Sequence, residues 1–263
     1  MYTDNQIWYR TGDIIKLRYT EYGDIVIFPG DDPRRIIDAM LQTGYSEEFC
    51  VALDFSPEFI AELMEAGFLV MSMRVTEIGE EPRYILLPKL HLERTVLFFP
   101  DLHIKKSIRR YLNRYELRYD EDFDLIVNRC LEIHGEAWLT PPLVDAIRSI
   151  RLADDAGQVP GVKKSYSVRP VSFALYRDGK LVAGEFGITT SRSDGQARVY
   201  TSYSGYYDED NAGTVQLIKT TEYLRDNGFA FFDLGMPLDY KNDLGALNIG
   251  PDEFVTWFRR AIL

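Results

Sequence analysis

The sequence predicts an α+β protein, and three observations in its second half carry the prediction. Val171 to Tyr176 and Leu181 to Thr189 are strand-like runs flanking Arg177-Asp178-Gly179-Lys180, and an Asp-Gly pair between two such runs is a strong hairpin signal. Ala197 to Ser204 is a third strand-like run, followed by a helical stretch from Asn211 to Asn227 that Gly228 stops. Phe229 to Phe232 are then an apolar run too short for a helix. They read as a strand buried on both faces, and that strand ends on a carboxylate, Asp233.

From the N-terminus, residues 1 to about 100 read as a mixed α/β unit. Ile14 to Arg18 and Ile25 to Phe28 are strand-like around a Tyr-Gly-Asp turn, and Pro33 to Leu41 and Pro57 to Ala66 are helical. The second helix has a start signal in Ser56 as N-cap, Pro57 in its first position and Glu58 in its first turn, with Gly67 as its stop. Phe68 to Val75 and Tyr84 to Leu87 form a strand pair around the polar turn that begins at Glu77. Arg94 to Phe99 is a further strand, and it leads into a cationic helix over roughly 101 to 114, with Ile104, Ile108, Leu112 and Tyr115 on one face. Phe123 to Ile133 and Pro141 to Leu152 are helices, the latter opened by Thr140 as N-cap. Residues 153 to 170 have no hydrophobic period and read as an inserted loop. A strand meander, a helix and a strand ending in an acid is the core order of the acetyltransferase-like (GNAT-like) fold. That fold is the expectation for residues 101–263, after a smaller α/β domain over 1–100.

Composition narrows the function classes. The chain has 263 residues, of which 46% are hydrophobic and 27% charged, as in ordinary globular proteins. Cys50 and Cys130 show no paired spacing, so neither a disulfide framework nor a zinc site is expected, and the natural compartment is a reducing cytoplasm. His91, His103 and His134 are scattered, and no metal is expected. No basic start followed by an apolar core opens the chain, and no apolar run approaches the about 20 residues that span a bilayer, so no membrane partner is expected. A net charge of −11 opposes broad, non-specific nucleic-acid binding. The one concentrated cationic segment runs from His103 to Arg118 and holds Lys105, Lys106, Arg109, Arg110 and Arg114, which read either as a solvated helix face or as an RNA contact. Ahead of the 211–227 helix stand Asp208, Glu209 and Asp210, which suit a positive helix end and repel a diphosphate, so coenzyme A is not expected.

The stretch from Asp233 through Leu244-Gly245-Ala246 to Ile249 and Asp252-Glu253-Phe254 resembles, in order and length, the C-terminal signature of bacterial leucyl/phenylalanyl-tRNA-protein transferases. That signature runs Phe-x-x-Ile-Asp-Cys-Gln-Val-x-x-x-His-Leu-x-Ser-Leu-Gly-Ala and then reaches Ile-Pro-x-x-x-Phe. The resemblance continues upstream. Val51 to Glu58 is similar to Val-Gly-Gly-Asp-Leu-Ser-Pro-Glu, and Arg94-Thr-Val-Leu and Leu102-His-Ile to Arg-x-Val-Leu and Leu-His-Val. Trp138-Leu-Thr-Pro141 is similar to Trp-Ile-Thr-Pro, Leu181 to Gly187 to Leu-Val-Gly-Gly-Leu-Tyr-Gly, and Asn211-Ala212 with Val215 and Leu217 to Asn-Ala-Ser-Lys-Val-Ala-Leu. Together these cover most of residues 50 to 260.

The resemblance implies an enzyme of the N-degron pathway. It would move leucine or phenylalanine from aminoacyl-tRNA to the N-terminus of an acceptor protein or peptide, without a cofactor. It implies that Asp233 and Tyr203 occupy the catalytic positions, in a cleft where Asp233, Tyr203 and Ser172 converge. Trp138, Phe173, Gly184 and Phe186 would border the side-chain pocket, and Ser204 and Gly235 would complete the substrate contacts. It also implies that Lys105, Lys106, Arg109, Arg110 and Arg114 face the tRNA acceptor arm. Two departures bear on the chemistry: Tyr203 stands where the family has Glu, and Gly235 where it has Gln. A phenol donates a hydrogen bond but carries no carboxylate charge. Two readings follow, transfer with altered acceptor choice or a non-catalysing relative that binds tRNA or protein N-termini. Alternatives to the site readings are a turn or cap acid for Asp233 and an aromatic strand surface for Tyr200, Tyr203, Tyr206 and Tyr207.

Overall fold

The computed structural model describes residues 3–8, 14–76, 81–157 and 166–263. In chain order these form β1 (Thr3–Trp8), β2 (Ile14–Tyr19), β3 (Ile25–Val26), α1 (Pro33–Thr43), α2 (Pro57–Ala66), β4 (Leu69–Val75), β5 (Arg83–Lys89) and β6 (Arg94–Leu97). A 3-10 turn at Phe99–Asp101 precedes α3 (Lys106–Leu112), β7 (Glu116–Tyr119), α4 (Phe123–His134), α5 (Pro141–Gly157), β8 (Val168–Arg177), β9 (Lys180–Ser191) and β10 (Ala197–Tyr207). Last come α6 (Ala212–Asp226), β11 (Phe231–Gly235), α7 (Asp239–Asn242), β12 (Leu247–Ile249) and α8 (Pro251–Ile262). The chain divides into two compact units, Met1–Leu92 with Glu136–Ile150, and Glu93–Gly135 with Arg151–Leu263.

The first unit holds the antiparallel sheet β1-β2-β3, the ladder β4-β5 and the helices α1 and α2. Asp32 caps α1, its carboxylate accepting from the Arg34 and Arg35 N–H groups. At α2 the expected cap differs. The helix starts at Pro57 as its sequence predicts, but the Ser56 hydroxyl is taken by Asp54, whose carboxylate also accepts the Ser56 N–H at 2.8 Å. Donating its proton to that charged acceptor two residues upstream points the hydroxyl away from the helix N–H groups, for which it would have to act as acceptor. Thr140, expected to cap α5, instead pairs with the Ser72 hydroxyl at 2.7 Å. The turn predicted from Glu77 begins outside the described residues.

The second unit is built on a seven-stranded sheet in the order β12-β6-β11-β10-β9-β8-β7, a mixed α/β architecture. β7 to β10 form an antiparallel meander, and α6 carries the chain over so that β11 runs parallel to β10. One face meets α4, where Phe123 lies 6.0 Å from Phe186, ring to ring. The other meets α6, where Tyr223 lies 5.3 Å from Phe173 and Gln216 donates to the Phe173 carbonyl. The β8–β9 register sets Ser172 opposite Phe186 and Phe173 opposite Glu185, and successive side chains of a strand alternate between the faces.

Several elements differ from the sequence expectation for physical reasons. The cationic helix is seven residues long rather than spanning 101 to 114. Its expected first turn is held extended, because the His103 N–H donates to the Leu244 carbonyl at 2.8 Å. Gly245 makes that approach possible, since a Cβ there would lie 2.0 Å from the Asp101 carbonyl oxygen. At its other end, Glu116 to Tyr119 join the sheet as an edge strand. α5 continues to Gly157, into the expected loop, whose residues 158–165 lie outside the described ones.

Candidate functional site

A gap in the sheet locates the candidate site. β10 pairs with β11 over Val199–Thr201 against Phe231–Asp233, and then runs on to Tyr207 with β9 as its hydrogen-bonded neighbour. Its register against β9 shifts between Ser202 and Ser204, and such an irregularity bends a strand away from its partner. On the other side of the gap β11 ends at Gly235, whose φ of +72° turns the chain out to the exposed Met236 and into α7.

Asp233 sits at the root of this gap and is completely buried. Arg94 of β6 holds it in a two-pronged ion pair, Nε to Oδ1 at 2.9 Å and Nη2 to Oδ2 at 2.5 Å. The Thr201 hydroxyl donates to Oδ2 at 2.8 Å and the Gly235 N–H to Oδ1 at 3.1 Å. The Arg94 guanidinium in turn lies 4.0 Å over the Phe254 ring of α8. A buried carboxylate requires such partners. With both oxygens engaged, Asp233 fastens β6, β10 and the turn after β11 to one another, and it presents no uncommitted oxygen to a reacting amine.

A second buried carboxylate stands on β9. Glu185 is 4% exposed, registers opposite Gly205, and accepts from Ser202 Oγ at 3.0 Å through Oε2, while Oε1 makes no hydrogen bond among the described residues. Burial pushes its carboxyl up from 4.5 to about 7, against the lowering influence of Ser202, of Thr220 on α6 and of the Lys241 charge. Lys241 of α7 is itself 7% exposed, its Nζ donating to the Leu234 carbonyl at 2.6 Å and the Met236 carbonyl at 2.8 Å. Burial lowers its ammonium to about 8, opposed by the charges of Asp233 and Glu185. The Tyr200 hydroxyl, which feels the Glu185 charge, and Gln216 Oε1 are buried without hydrogen-bond partners among the described residues.

The expected site residues separate. Tyr203 is half-buried on β10, its ring 6.2 Å from that of Phe186. Ser172 donates to the Glu121 carbonyl at 2.7 Å and lies on β8, three strands and about 14 Å from β11. The expected convergence of Ser172 with Asp233 is therefore corrected: strand order keeps them apart. Gly184 and Phe186 face α4, where a Cβ on Gly184 would come 2.8 Å from Ile126, and Ser204 lies on the same face against Cys130. Phe173 packs under α6 on the opposite face, between Tyr119, Tyr200 and Tyr223, so a single pocket lined by Phe173 together with Gly184 and Phe186 is also corrected. Trp138 belongs to the first unit, where its carbonyl accepts the Ser72 N–H at 2.9 Å. Gly235 has open space where a Cβ would lie.

On α3, Lys105 pairs with Asp243 at 2.5 Å and Arg109 donates to the Ile104 carbonyl at 3.3 Å, while Lys106, Arg110 and Arg114 are exposed. Arg110 and Arg114 both lie over the Tyr111 ring, at 4.9 and 5.2 Å. A separate open cavity of about 510 Å³ is lined by Phe99, Pro100, Leu102, Ile104, Glu222 and Arg225.

Sequence reasoning did not single out Arg94, Thr201, Glu185 or Lys241. The signal for two of them was present: Arg94 opens an apolar strand, and Glu185 is the one charge in Leu181 to Thr190, where the motif it resembles has Leu. A charge in a buried run requires a partner or a task.

Residues 96–259 match the family model described as leucyl/phenylalanyl-tRNA protein transferase. A leucyl/phenylalanyl-tRNA–protein transferase of Pseudomonas aeruginosa is 28% identical over 172 residues, 64% of this chain and 67% of that protein. One of Pseudomonas entomophila is 29% identical over the same length and the same shares. Among solved structures, FemX aligns at 9% identity with a TM-score of 0.40, over 95% of this chain and 86% of that one. A GCN5-related N-acetyltransferase from Anabaena variabilis aligns at 8% with a TM-score of 0.38, over 94% and 56%.

Proposed function

Because the chain belongs to the leucyl/phenylalanyl-tRNA protein transferase family and is an aminoacyltransferase, we propose that it moves an apolar amino acid of the leucine or phenylalanine kind from aminoacyl-tRNA to the N-terminal amine of an acceptor protein, with altered acceptor choice. The reaction would belong to an N-degron pathway, and it would run in the cytoplasm, where charged tRNA is found. The second unit is the catalytic body in this reading, a GNAT-like arrangement of meander, α6 and parallel β11. The observation that carries the reading is the gap between β10 and β11 within the family-matched span, with ionisable groups at its walls.

An aminoacyl ester is already activated, so the catalyst has to orient an amine, move its proton and stabilise an oxyanion. Asp233 serves as a positioning residue here. Through Arg94, Thr201 and the Gly235 N–H it fixes the end of β11, from which Leu234 and Met236 hold Lys241 in place. Tyr203, a phenol against Phe186, offers an acceptor no negative charge, which weakens selection for a cationic N-terminal residue. The exposed cations Lys106, Arg110 and Arg114 are assigned to the tRNA backbone. The Lys105–Asp243 pair and the His103 to Leu244 hydrogen bond tie the start of α3 to the segment that carries Lys241, so tRNA bound there would lead toward the gap.

Incubation with Leu-, Phe- and Met-tRNA and peptides differing in their first residue tests the proposal. Transfer of Leu or Phe to a peptide amine is expected. Folded protein that binds tRNA or peptides and transfers nothing would overturn it in favour of a non-catalysing binder.

A further inference from the structure

We propose that Glu185 is a catalytic residue of this transferase, taking a proton from the attacking amine and returning it to the leaving ribose oxygen; the assignment rests on the transferase reading above. Four features of the site point to it. Glu185 lies on the stretch of the β9–β10 ladder, opposite Gly205, where β10 no longer pairs with β11. Gly205 is exposed and has no side chain, and a Cβ there would come 3.0 Å from the Glu185 Cβ, so a glycine at this position leaves the buried Glu185 with no side chain packed over it from residue 205. Ser202 engages one carboxyl oxygen and fixes the group, leaving Oε1, with the Thr220 hydroxyl nearby, without a hydrogen bond of its own among the described residues. The charge of Lys241 acts on it through space, held by backbone carbonyls rather than by an ion-pair contact with Glu185.

The groups whose hydrogen bonds or charges bear on Glu185 are Ser202 and Tyr200 on β10, Thr220 on α6, Tyr240 and Lys241 on α7, and, across the sheet, Cys130 on α4. Their balance leaves the carboxyl poised near neutrality, where a proton acceptor for an amine works best. The step balances without an added reagent. The neutral amine nitrogen attacks the ester carbonyl carbon and the N–C bond forms. One N–H proton passes to the Glu185 carboxylate. The bond from carbon to the ribose 3′ oxygen then breaks, and the protonated Glu185 hands the same proton to that oxygen, leaving an amide, a tRNA hydroxyl and the carboxylate restored.

The test compares wild type with Glu185→Gln and Glu185→Asp by transfer kinetics from Leu- and Phe-tRNA to a peptide across neutral pH. It adds difference infrared spectra of the Glu185 carboxyl with and without that peptide. Glu185→Gln is expected to lower kcat by about 10²-fold or more with peptide KM little changed, and to abolish the rise of rate with pH that wild type shows near neutrality. Partial recovery in Glu185→Asp is expected, as is a carboxyl band that titrates near neutrality and shifts when the peptide binds. A Glu185→Gln enzyme that keeps wild-type kcat and pH profile overturns the assignment, as does a rate loss with an unchanged profile and a lowered unfolding temperature. Absence of transfer by wild type would sink the transferase reading instead. The infrared spectra then decide separately, a peptide-induced shift supporting contact with the amine and an unmoved band refuting it.

Discussion

Two buried carboxylates with one strand between them in the sheet have been given opposite environments. Asp233 is completed by a guanidinium, a hydroxyl and a backbone N–H, so it is a structural charge whose partners make it costly to disturb. Arg94→Ala or Asp233→Asn should each destabilise the protein by about 3–5 kcal/mol, because either leaves one charge buried alone, whereas replacing both by apolar residues of similar volume should cost far less. Denaturant unfolding of the singles and the double checks this. Glu185 is the opposite case. Its carboxyl rises from 4.5 to about 7 on folding, so the folded chain binds the proton more tightly than the unfolded chain does. That contribution to stability is present below pH 4.5 and is lost as pH rises through about 7. Lys241 runs the other way, falling from 10.5 to about 8, with its contribution present above 10.5 and lost as pH falls through about 8. Near pH 7.5 both penalties stand. Glu185→Gln should therefore be more stable than wild type there by on the order of 2–3 kcal/mol, and equal to it near pH 4. Thermal unfolding of both proteins across pH reads the difference directly.

At the scale of the element, α3 shows how a short helix can present charge without being rich in it. Of its basic residues and their flanks, Lys105 and Arg109 are spent on Asp243 and the Ile104 carbonyl, and Tyr111 stacks against Arg110 and Arg114. The Lys105–Asp243 pair is more than half exposed, so its worth is the small one of a surface pair. If tRNA docks on the remaining cations, replacing Lys106, Arg110 and Arg114 together by Ala should weaken binding of all tRNAs alike and reduce the slope of log affinity against log salt by about 2–3, without changing which aminoacyl group is transferred. Filter binding at several salt concentrations measures it. An unchanged slope would make α3 a solvated face.

For the whole molecule, the division into units is not a single cut. Residues Glu136–Ile150 belong with the N-terminal unit although they lie between elements of the second. There Leu139, Leu143, Val144, Ile147 and Ile150 are buried, and Thr140 and Trp138 bond to Ser72. A chain beginning at Glu93 keeps the whole second unit and still carries this segment without Ser72 and its neighbours. It should aggregate or lose its cooperative transition, because about five apolar side chains at roughly 1.5–3 kcal/mol each are returned to water. Soluble yield and thermal unfolding against the full chain test it, and a well-behaved fragment would show that the segment finds other cover.

The residues themselves were enough to specify the mixed α/β architecture, the hairpin at Asp178-Gly179, the α2 start at Pro57, the helix after β10 and the family, because these rest on local period, turn chemistry and contiguous motif. They also marked Asp233 as a buried strand acid, although they placed it at the end of a strand that in the structure runs on to Gly235. What they could not carry is which charges meet. Arg94 and Asp233 are 139 residues apart in the chain, and their pairing depends on β6 lying beside β11. The site residues expected to converge were assigned by motif. Whether Ser172 reaches Asp233, or whether Phe173 shares a face with Phe186, is decided by strand order and by the two-residue alternation of a strand. Glu185 was visible as a charge in an apolar run, yet its burial beside Gly205 and Lys241 exists only where β9, β10 and α7 are brought together. Burial and charge pairing are properties of neighbours distant in sequence, so only the tertiary structure could decide that one carboxylate is held as a structural ion pair and the other is left poised for chemistry.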